Sequence, residues 1–297
     1  MTTLGRLGLG RLGLGRLGVW SPIDRLDAAG LRRLAAVVED LGYGALWYPE
    51  ARGYESFTAA GFLLAASRRM VVGSSIANIY ARDAFTARRG MLGLNALHGG
   101  RFVLGLGVSN PGNVEALRGH VFAPPVPAMR AYLDALHGDA GDAGEWPVAL
   151  GAVGPRMLAL AGARTRGALP YSVTPAHTAM AAGILGPGRW LAVEQKVCLE
   201  TDAARARALG RAELARHMAL PADRANWLRL GFTEDDLRDG GSDRFIDAMV
   251  LWGEADRIRA GVRAHFAAGA THVCLQPLAD PADPAGRERV LRLLADC

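Results

Sequence analysis

The sequence predicts an α/β protein folded as a closed (β/α)8 barrel, and three observations carry that expectation. Strand-like and helix-like segments alternate along nearly the whole chain. The strand-like segments are apolar on both faces, as a parallel sheet covered by helices requires. The clearest is Gly99–Asn110, where a Gly-Gly turn feeds an apolar run that ends in small residues and a polar tip. Small residues at that end let a ligand approach the backbone. Finally, 297 residues of which 50% are hydrophobic suit a single barrel of about 250 residues plus an insertion.

The elements follow in order. Residues 4–18 hold Leu-Gly-Arg-Leu-Gly three times in register. Two frames of it match the G-x-G-x-x-G dinucleotide pattern, but no strand precedes them and a five-residue repeat generates that spacing automatically. A period of five suits neither a packed helix nor a strand. Residues 1–13 are therefore read as a low-complexity, disordered extension and 14–297 as one barrel domain. Leu17–Trp20 is the first strand, followed by a helix over Ala28–Leu41 with apolar residues at helical spacing. Ala45–Pro49 is strand two and Phe57–Ala66 its helix. Met70–Ile76 and Phe85–Leu97 form the third unit, and Arg101–Val108 and Met129–Leu136 the fourth. Val148–Ala152 and Arg156–Ala163 are the fifth, Ala168–Val173 and Thr178–Leu185 the sixth, Leu191–Leu199 and Ala203–His217 the seventh. The rhythm then breaks. Pro221–Ser242 is polar and glycine-bearing with a short helical piece near Asp235, and helices follow at Arg244–Leu251 and Ala255–Ala268. Thr271–Gln276 is strand eight and Arg287–Leu294 the last helix. A doubly wound open sheet is the competing architecture; eight units without a compositional break favour closure. The segment before strand eight is an insertion at the C-terminal face or a dimer element.

Composition narrows the function classes. The formal charge is +5, of which Arg6, Arg11 and Arg16 of the repeat supply three. No basic block with interleaved aromatics appears, so nucleic acid is not an expected partner, while a mild positive field suits an anionic small molecule. No apolar span long enough for a bilayer and no signal-peptide core are present, which reads as a soluble, cytoplasmic protein. Cys198, Cys274 and Cys297 have no metal-ligand spacing and read as core filler. Lys196 is the only lysine.

Function in a barrel sits at the C-terminal strand ends. Gly151-Ala-Val-Gly-Pro155 opens directly into a helix, where free N–H groups form an anion site; an ordinary β-to-α turn is the alternative. Ser75-Ile76-Ala77-Asn78 ends strand three, followed by Tyr80, Arg82 and Asp83. Asn78 and Arg82 could contact a polar cofactor or simply form a solvated loop. Glu194 and Lys196 point to one face of strand seven, read first as an internal salt bridge and second as a substrate contact. Glu50, after Trp47-Tyr48-Pro49, is the candidate acid/base or cofactor contact. Among the histidines no paired-ligand spacing occurs, so no metal site is expected. His98 suits a helix C-cap, and His120 in the loop beyond strand four merits a test. No G-x-S-x-G elbow or P-loop is present.

Taken in order, Leu17–Trp20, Gly42–Trp47, Ile76–Asp83, Gly100–Ser109, Gly154–Leu158, Glu194–Val197 and Leu230–Asp236 resemble the luciferase-like flavin monooxygenase superfamily. Within it the resemblance, over about Leu14–Leu278, is to a coenzyme F420-dependent oxidoreductase subfamily. It implies a TIM-type barrel with an insertion before strand eight, a homodimer, and a deazaflavin at the C-terminal mouth. In relatives a non-prolyl cis peptide bulges beneath the central ring, at the position of Ser75-Ile76. Val108, Ser109 and Asn110 would line the other side of the ring, and Ala152, Val153 and Gly154 would hold the side-chain phosphate. Two departures stand out. Sugar-phosphate dehydrogenase relatives have a catalytic His where this chain has Ala51, and close relatives have His where it has Asn110.

The implied activity is hydride transfer between F420 and an unidentified small organic substrate, with Glu50 or a water handling the proton. The alternatives are an FMN-dependent monooxygenase using reduced flavin and oxygen, and a degenerate barrel that binds without turnover. The segments 111–127 and 221–242 would shape the substrate pocket.

Overall fold

The computed structural model describes residues 12–138 and 146–297. In chain order its strands are β1 (Leu17–Trp20), β2 (Ala45–Tyr48), β3 (Val71–Ser74), β4 (Ala77–Asn78), β5 (Phe102–Gly107), β6 (Val148–Leu150), β7 (Gly167–Ala168), β8 (Trp190–Cys198), β9 (Val250–Trp252) and β10 (His272–Leu278). All pairings are parallel, and β10 pairs with both β8 and β1, which closes an eight-strand barrel of β1, β2, β3, β5, β6, β7, β8 and β10. The register runs Leu17↔Val273 and Gly18↔Ala45 around the closure. Every barrel-strand residue except Trp190 is buried, which is why these strands read as unbroken apolar runs.

The helices are α1 (Ala28–Asp40), α2 (Ser56–Ala65), α3 (Ala84–Leu97), α4 (Pro125–His137), α5 (Pro155–Arg164), α6 (Pro175–Leu185), α7 (Ala203–Leu214), α8 (Pro221–Arg229), α9 (Asp243–Met249), α10 (Ala255–Ala267) and α11 (Gly286–Leu294). Several begin where a short polar side chain takes the first free N–H groups: Asp27, Asp83, Thr174, Asp202 and Ser242 all do so. His98 closes α3 as expected.

Three cores result. The barrel interior is filled by Leu14, Trp20, Trp47, Val71, Val103, Leu169 and Cys274 among others. A larger shell lies between strands and helices. A third, around Trp227, Phe232, Phe245 and Trp252, belongs to the insertion. The floor of the barrel is sealed by Leu14, and by His272, whose Nδ1 bonds the Gly15 carbonyl at 2.9 Å while Nε2 accepts from the Trp47 indole at 3.0 Å. Of the extension expected over 1–13, residues 1–11 lie outside the described residues, and Leu12 packs against the inner cluster. No helix among the described residues is long and apolar enough to cross a membrane. Cys198 and Cys274 are buried and unpaired.

Four element expectations are corrected. Strand three stops at Ser74, turns through a cis Ser75–Ile76 peptide and resumes as β4 against β5. The strand expected over Ala168–Val173 is two residues long, because Pro170 has no N–H to pair and Ser172 takes a left-handed φ of 53°. The polar segment after α7 contains a full helix, α8, with Pro221 at its first turn. The helix expected over Arg244–Leu251 ends at Met249, and Val250–Trp252 becomes β9, which pairs with Lys196–Cys198 of β8. One feature was unannounced: a single π-helical turn at Gly112–Ala116.

Candidate active site at the barrel mouth

The mouth is organised around the end of β3. A Cβ at Gly105 would lie 2.0 Å from the Ser74 carbonyl oxygen, and one at Gly107 would lie 2.4 Å from the Ile76 side chain. At these two glycines the missing side chains make room for the turn at Ser74–Ile76. The Ser74 hydroxyl ties the strands together, donating to the Gly105 carbonyl at 2.9 Å and accepting from its N–H at 3.0 Å. Gly151 is the third contact, since a Cβ there would meet Ile76 Cγ2 at 2.8 Å. Ile76 is thereby held between β5 and the loop after β6, half-exposed at the top of the inner cluster.

Glu50 pins this turn from β2. One carboxylate oxygen accepts from the Ser56 N–H at 3.1 Å and from Arg82, and the other accepts from the Asn78 N–H at 2.8 Å. Glu50 and Arg82 are 4% and 8% exposed at their side chains, so this is a buried ion pair with added hydrogen bonds, the arrangement that offsets desolvation. Burial works against the Arg82 charge, but the Glu50 bond and the fields of Glu50 and Glu55 outweigh it and hold the guanidinium above its ordinary value. Asn78 is buried, and its side-chain oxygen accepts from the Tyr80 N–H at 2.9 Å. A cleft of about 550 Å³ opens beside Arg82, lined by Tyr80, His120 and Tyr132; His120 is thus on the outer side of this loop.

Across the turn, β5 runs out into Val108, then Ser109 in a left-handed conformation with φ 60°. The Asn110 side-chain oxygen accepts from the Asn113 N–H at 3.0 Å and starts the π-helical turn. Val108, Ser109 and Asn110 are all half-buried.

After β6 the chain passes through Ala152, Val153 and Gly154 into α5. Among the described residues the N–H groups of these three have no partner, and Pro155 at the first helical position has none to satisfy. No side chain caps α5, and a Cβ at Gly154 would meet nothing within 4 Å. Unpaired N–H groups at the positive end of a helix, with open space before them, are the donor set for an anion. The residues present therefore fit a phosphate-bearing cofactor. Behind the loop stands His177 of α6, fully buried, its Nε2 bonded to the Val153 carbonyl at 2.8 Å. Burial lowers its affinity for a proton, the Val153 bond opposes this, and Arg229 adds to the lowering.

The opposite wall is a polar network under an aromatic stack. The Lys196 ammonium, fully buried, bonds both Glu194 oxygens at 3.2 and 3.1 Å and the Ser172 hydroxyl at 2.7 Å. This is the internal salt bridge expected from the two-residue spacing. The ammonium also lies 3.9 Å from the centre of the Tyr171 ring. Tyr171 is flanked by Trp20 at 5.0 Å and His217 at 5.1 Å between ring centres. Its hydroxyl donates to Gln276 at 2.9 Å, and Gln276 donates to Glu213 of α7 at 2.9 Å. Burial and the Glu194 charge push the Tyr171 phenol well above its ordinary range, so it serves as a neutral donor. The insertion is anchored here, for the Trp227 indole donates to the Ser172 carbonyl at 3.1 Å.

Trp20, Tyr171, His177 and His217 were not singled out from sequence. No local motif marks them. The one legible hint was Thr174-Pro175, a cap and first-turn pair that starts α6 at Pro175 and so carries His177 up to the mouth. Among the described residues no cluster of His, Cys, Asp and Glu could hold a metal.

The closed parallel barrel has counterparts among known proteins. The chain is 27% identical to a Mycobacterium tuberculosis protein named as an inferred coenzyme F420-dependent oxidoreductase, over 80% of this chain and 88% of that one. Its fold is similar to the F420-dependent tetrahydromethanopterin reductase of Methanopyrus kandleri, with a TM-score of 0.68 at 17% identity, covering 95% and 97% of the two chains. It is also similar to the oxygenating component of 3,6-diketocamphane monooxygenase of Pseudomonas putida in complex with FMN, with a TM-score of 0.69 at 12% identity and coverage of 95% and 96%. The model for the luciferase-like monooxygenase family matches residues 15–272, and the chain belongs to that family of enzymes.

Proposed function

We propose that this protein is a coenzyme F420-dependent oxidoreductase that transfers a hydride between the deazaflavin and a small organic substrate. The observation that carries the reading is the adjacency of two features. The half-exposed Ile76 turn offers a support for a planar ring, and next to it, across Gly151, lie the three unpaired N–H groups of Ala152, Val153 and Gly154. The F420-dependent names of the similar proteins support a deazaflavin over FMN.

In this reading Ser75, Ile76, Asn78, Val108, Ser109 and Asn110 hold the ring, and Ala152–Gly154 the phosphate. When bound, the cofactor supplies the hydride chemistry. The chain supplies orientation and cover: Glu50 fixes the Asn78 backbone, and the Trp20–Tyr171–His217 stack walls the pocket from water. Glu50 is the proton-handling candidate. Three donors already bind its carboxylate, and it would reach the substrate directly or through a water. A soluble cytoplasmic homodimer belongs to the same reading, with sedimentation as its check.

The fold similarity to an FMN-bound monooxygenase favours a second reading, an FMN-dependent oxygenase. Equilibrium titration of the apo-protein with F420 and, separately, with FMN decides between them. Tight binding of F420 alone supports the proposal. Preference for FMN moves the protein to the oxygenase reading, and binding of neither leaves a barrel without redox function.

A further inference from the structure

The proton that accompanies a hydride needs a titratable group at the mouth, and the strand ends supply few. Ala51 and Asn110 carry none, and the Glu50 carboxylate is held by three donors with its side chain 4% exposed. The segment after α7 brings another. His217 Nδ1 lies 2.9 Å from Oδ2 of Asp223, in the first turn of α8, and the two side chains are 14% and 17% exposed. The imidazole is also stacked on Tyr171. Tyr171 and Ile76 both pack on the inner cluster that fills the barrel, so His217 belongs to the mouth, on the wall opposite the Ile76 turn.

The hydrogen bonds fix which nitrogen works. A carboxylate can only accept, so the neutral ring carries its proton on Nδ1 and leaves a lone pair on Nε2. Nε2 accepts one long bond, 3.3 Å from Arg216 Nε, and the Arg216 guanidinium is itself held by Glu213 at 2.8 Å. An imidazole oriented by a carboxylate, with its other nitrogen turned to the pocket, is the arrangement of a general base. The charged groups around it are Asp223 of α8, Glu213 of α7, Arg216, and the Glu194–Lys196 pair beneath the Tyr171 ring. Along the same stack the Trp20 indole N–H is buried and has no acceptor among the described residues, a need that an oxygen-bearing guest meets.

We propose that His217 is the residue that exchanges the substrate's proton, with Asp223 as its positioning residue, and that the substrate reacts at a hydroxyl–carbonyl pair. This rests on the reading of the mouth as an F420 hydride-transfer site and assigns its proton step to the insertion rather than to the end of β2. In the oxidative direction the substrate C–H bond breaks and its electron pair leaves with the hydrogen as hydride to the deazaflavin. The O–H proton passes to Nε2 and the C=O bond forms, so the substrate loses two electrons and the deazaflavin gains them. In the reductive direction the imidazolium returns the proton to the oxygen as the hydride reaches the carbon. Oxygen is the fitting partner because Nε2 can hydrogen-bond a hydroxyl before the transfer, which a C–H group does not offer.

The first readout needs no turnover. Diethyl pyrocarbonate modifies neutral imidazole nitrogens, and peptide masses identify each modified histidine. His217 is expected to react in the apo-protein and to be shielded by bound F420, while His120, on the outer side of its loop, is not shielded. Equal modification of His217 with and without F420 overturns its place at the mouth. The second readout is turnover across pH, of F420 with cyclohexanol, 2-butanol and benzyl alcohol and of reduced F420 with the matching carbonyl compounds. His217→Gln is expected to keep F420 affinity, to lower kcat roughly a hundredfold or more, and to abolish one limb of the pH profile. Asp223→Asn lowers kcat less and moves that limb, which a merely structural role would leave in place. Glu50→Gln retains it. A limb that survives in His217→Gln, or F420 binding without turnover of any of these compounds, overturns the proposal. If the wild-type protein does not bind F420 at all, the hydride-transfer reading falls, and this assignment falls with it.

Discussion

At Gly154 function and stability pull in opposite directions. The position is the cap of α5, and its side-chain space is empty. Gly154→Asp would place a carboxylate on the unpaired N–H groups, which favours the helix by a few tenths of a kcal/mol. The same carboxylate repels a phosphate. The expected outcome is an unchanged or slightly raised melting temperature with more than tenfold weaker F420 binding, and unchanged affinity would sink the phosphate assignment. Glu50 gives the second test at this scale. Glu50→Gln breaks a buried ion pair and leaves Arg82 without its main partner, at a cost of about 3 kcal/mol. If Glu50 also handles the proton, turnover by the variant loses one limb of its pH profile. If Glu50 only holds the Asn78 backbone, the profile keeps its shape and the cofactor affinity falls.

Among the elements, the third strand and the insertion decide how the site is built. Gly107→Ala is predicted to push Ile76 out of its seat, since the new methyl would stand 2.4 Å from that side chain. Overpacking of this kind costs about 1–3 kcal/mol. F420 affinity should fall alongside, because the ring support moves; a variant with normal affinity would place the ring elsewhere. The strands were legible because burial on both faces leaves an apolar signature that needs no knowledge of neighbours. The same signature misled at Val173, which is buried beyond the end of β7. The end of strand three was readable only as a resemblance, because a turn at Ser75–Ile76 depends on Gly105, Gly107 and Gly151 meeting it from other strands. Val250 and Leu251 of β9 were read as helix since they continue the apolar run at the end of α9, and only the open edge of β8 turns them into a strand.

For the molecule as a whole, two buried imidazoles set an acid limit on the fold. Burial, with a smaller contribution from His177, pushes His265 down to about 4. It does the same to His272, against the opposing pull of the Gly15 carbonyl. His265 bridges Thr178 and Gln195 at 2.8 Å each, and His272 seals the barrel floor. Between about 4 and the ordinary value of 6.5 the unfolded chain binds protons that the folded chain refuses. Stability therefore falls as the pH drops below 6.5 and the loss levels off near 4. Each group accounts for about 3 kcal/mol of that loss. Urea midpoints measured from pH 7.5 to 4.5 should decline through this window, and His265→Gln should flatten the decline. A midpoint independent of pH would show that neither imidazole is kept neutral by the fold.

The brevity of β7 has a consequence for engineering. Because it meets β8 only at Trp190 and Leu191, the Lys196–Cys198 end of β8 is left to Val250–Trp252. Part of what looks like an appendage is thus a stave of the wall itself. Grafting a substrate-recognition segment from one relative onto another would fail if the exchange were cut at the ends of α8 and α9. A chimera has to carry the residues that dock on β8, and its junction belongs at Gly253, on the far side of the stave.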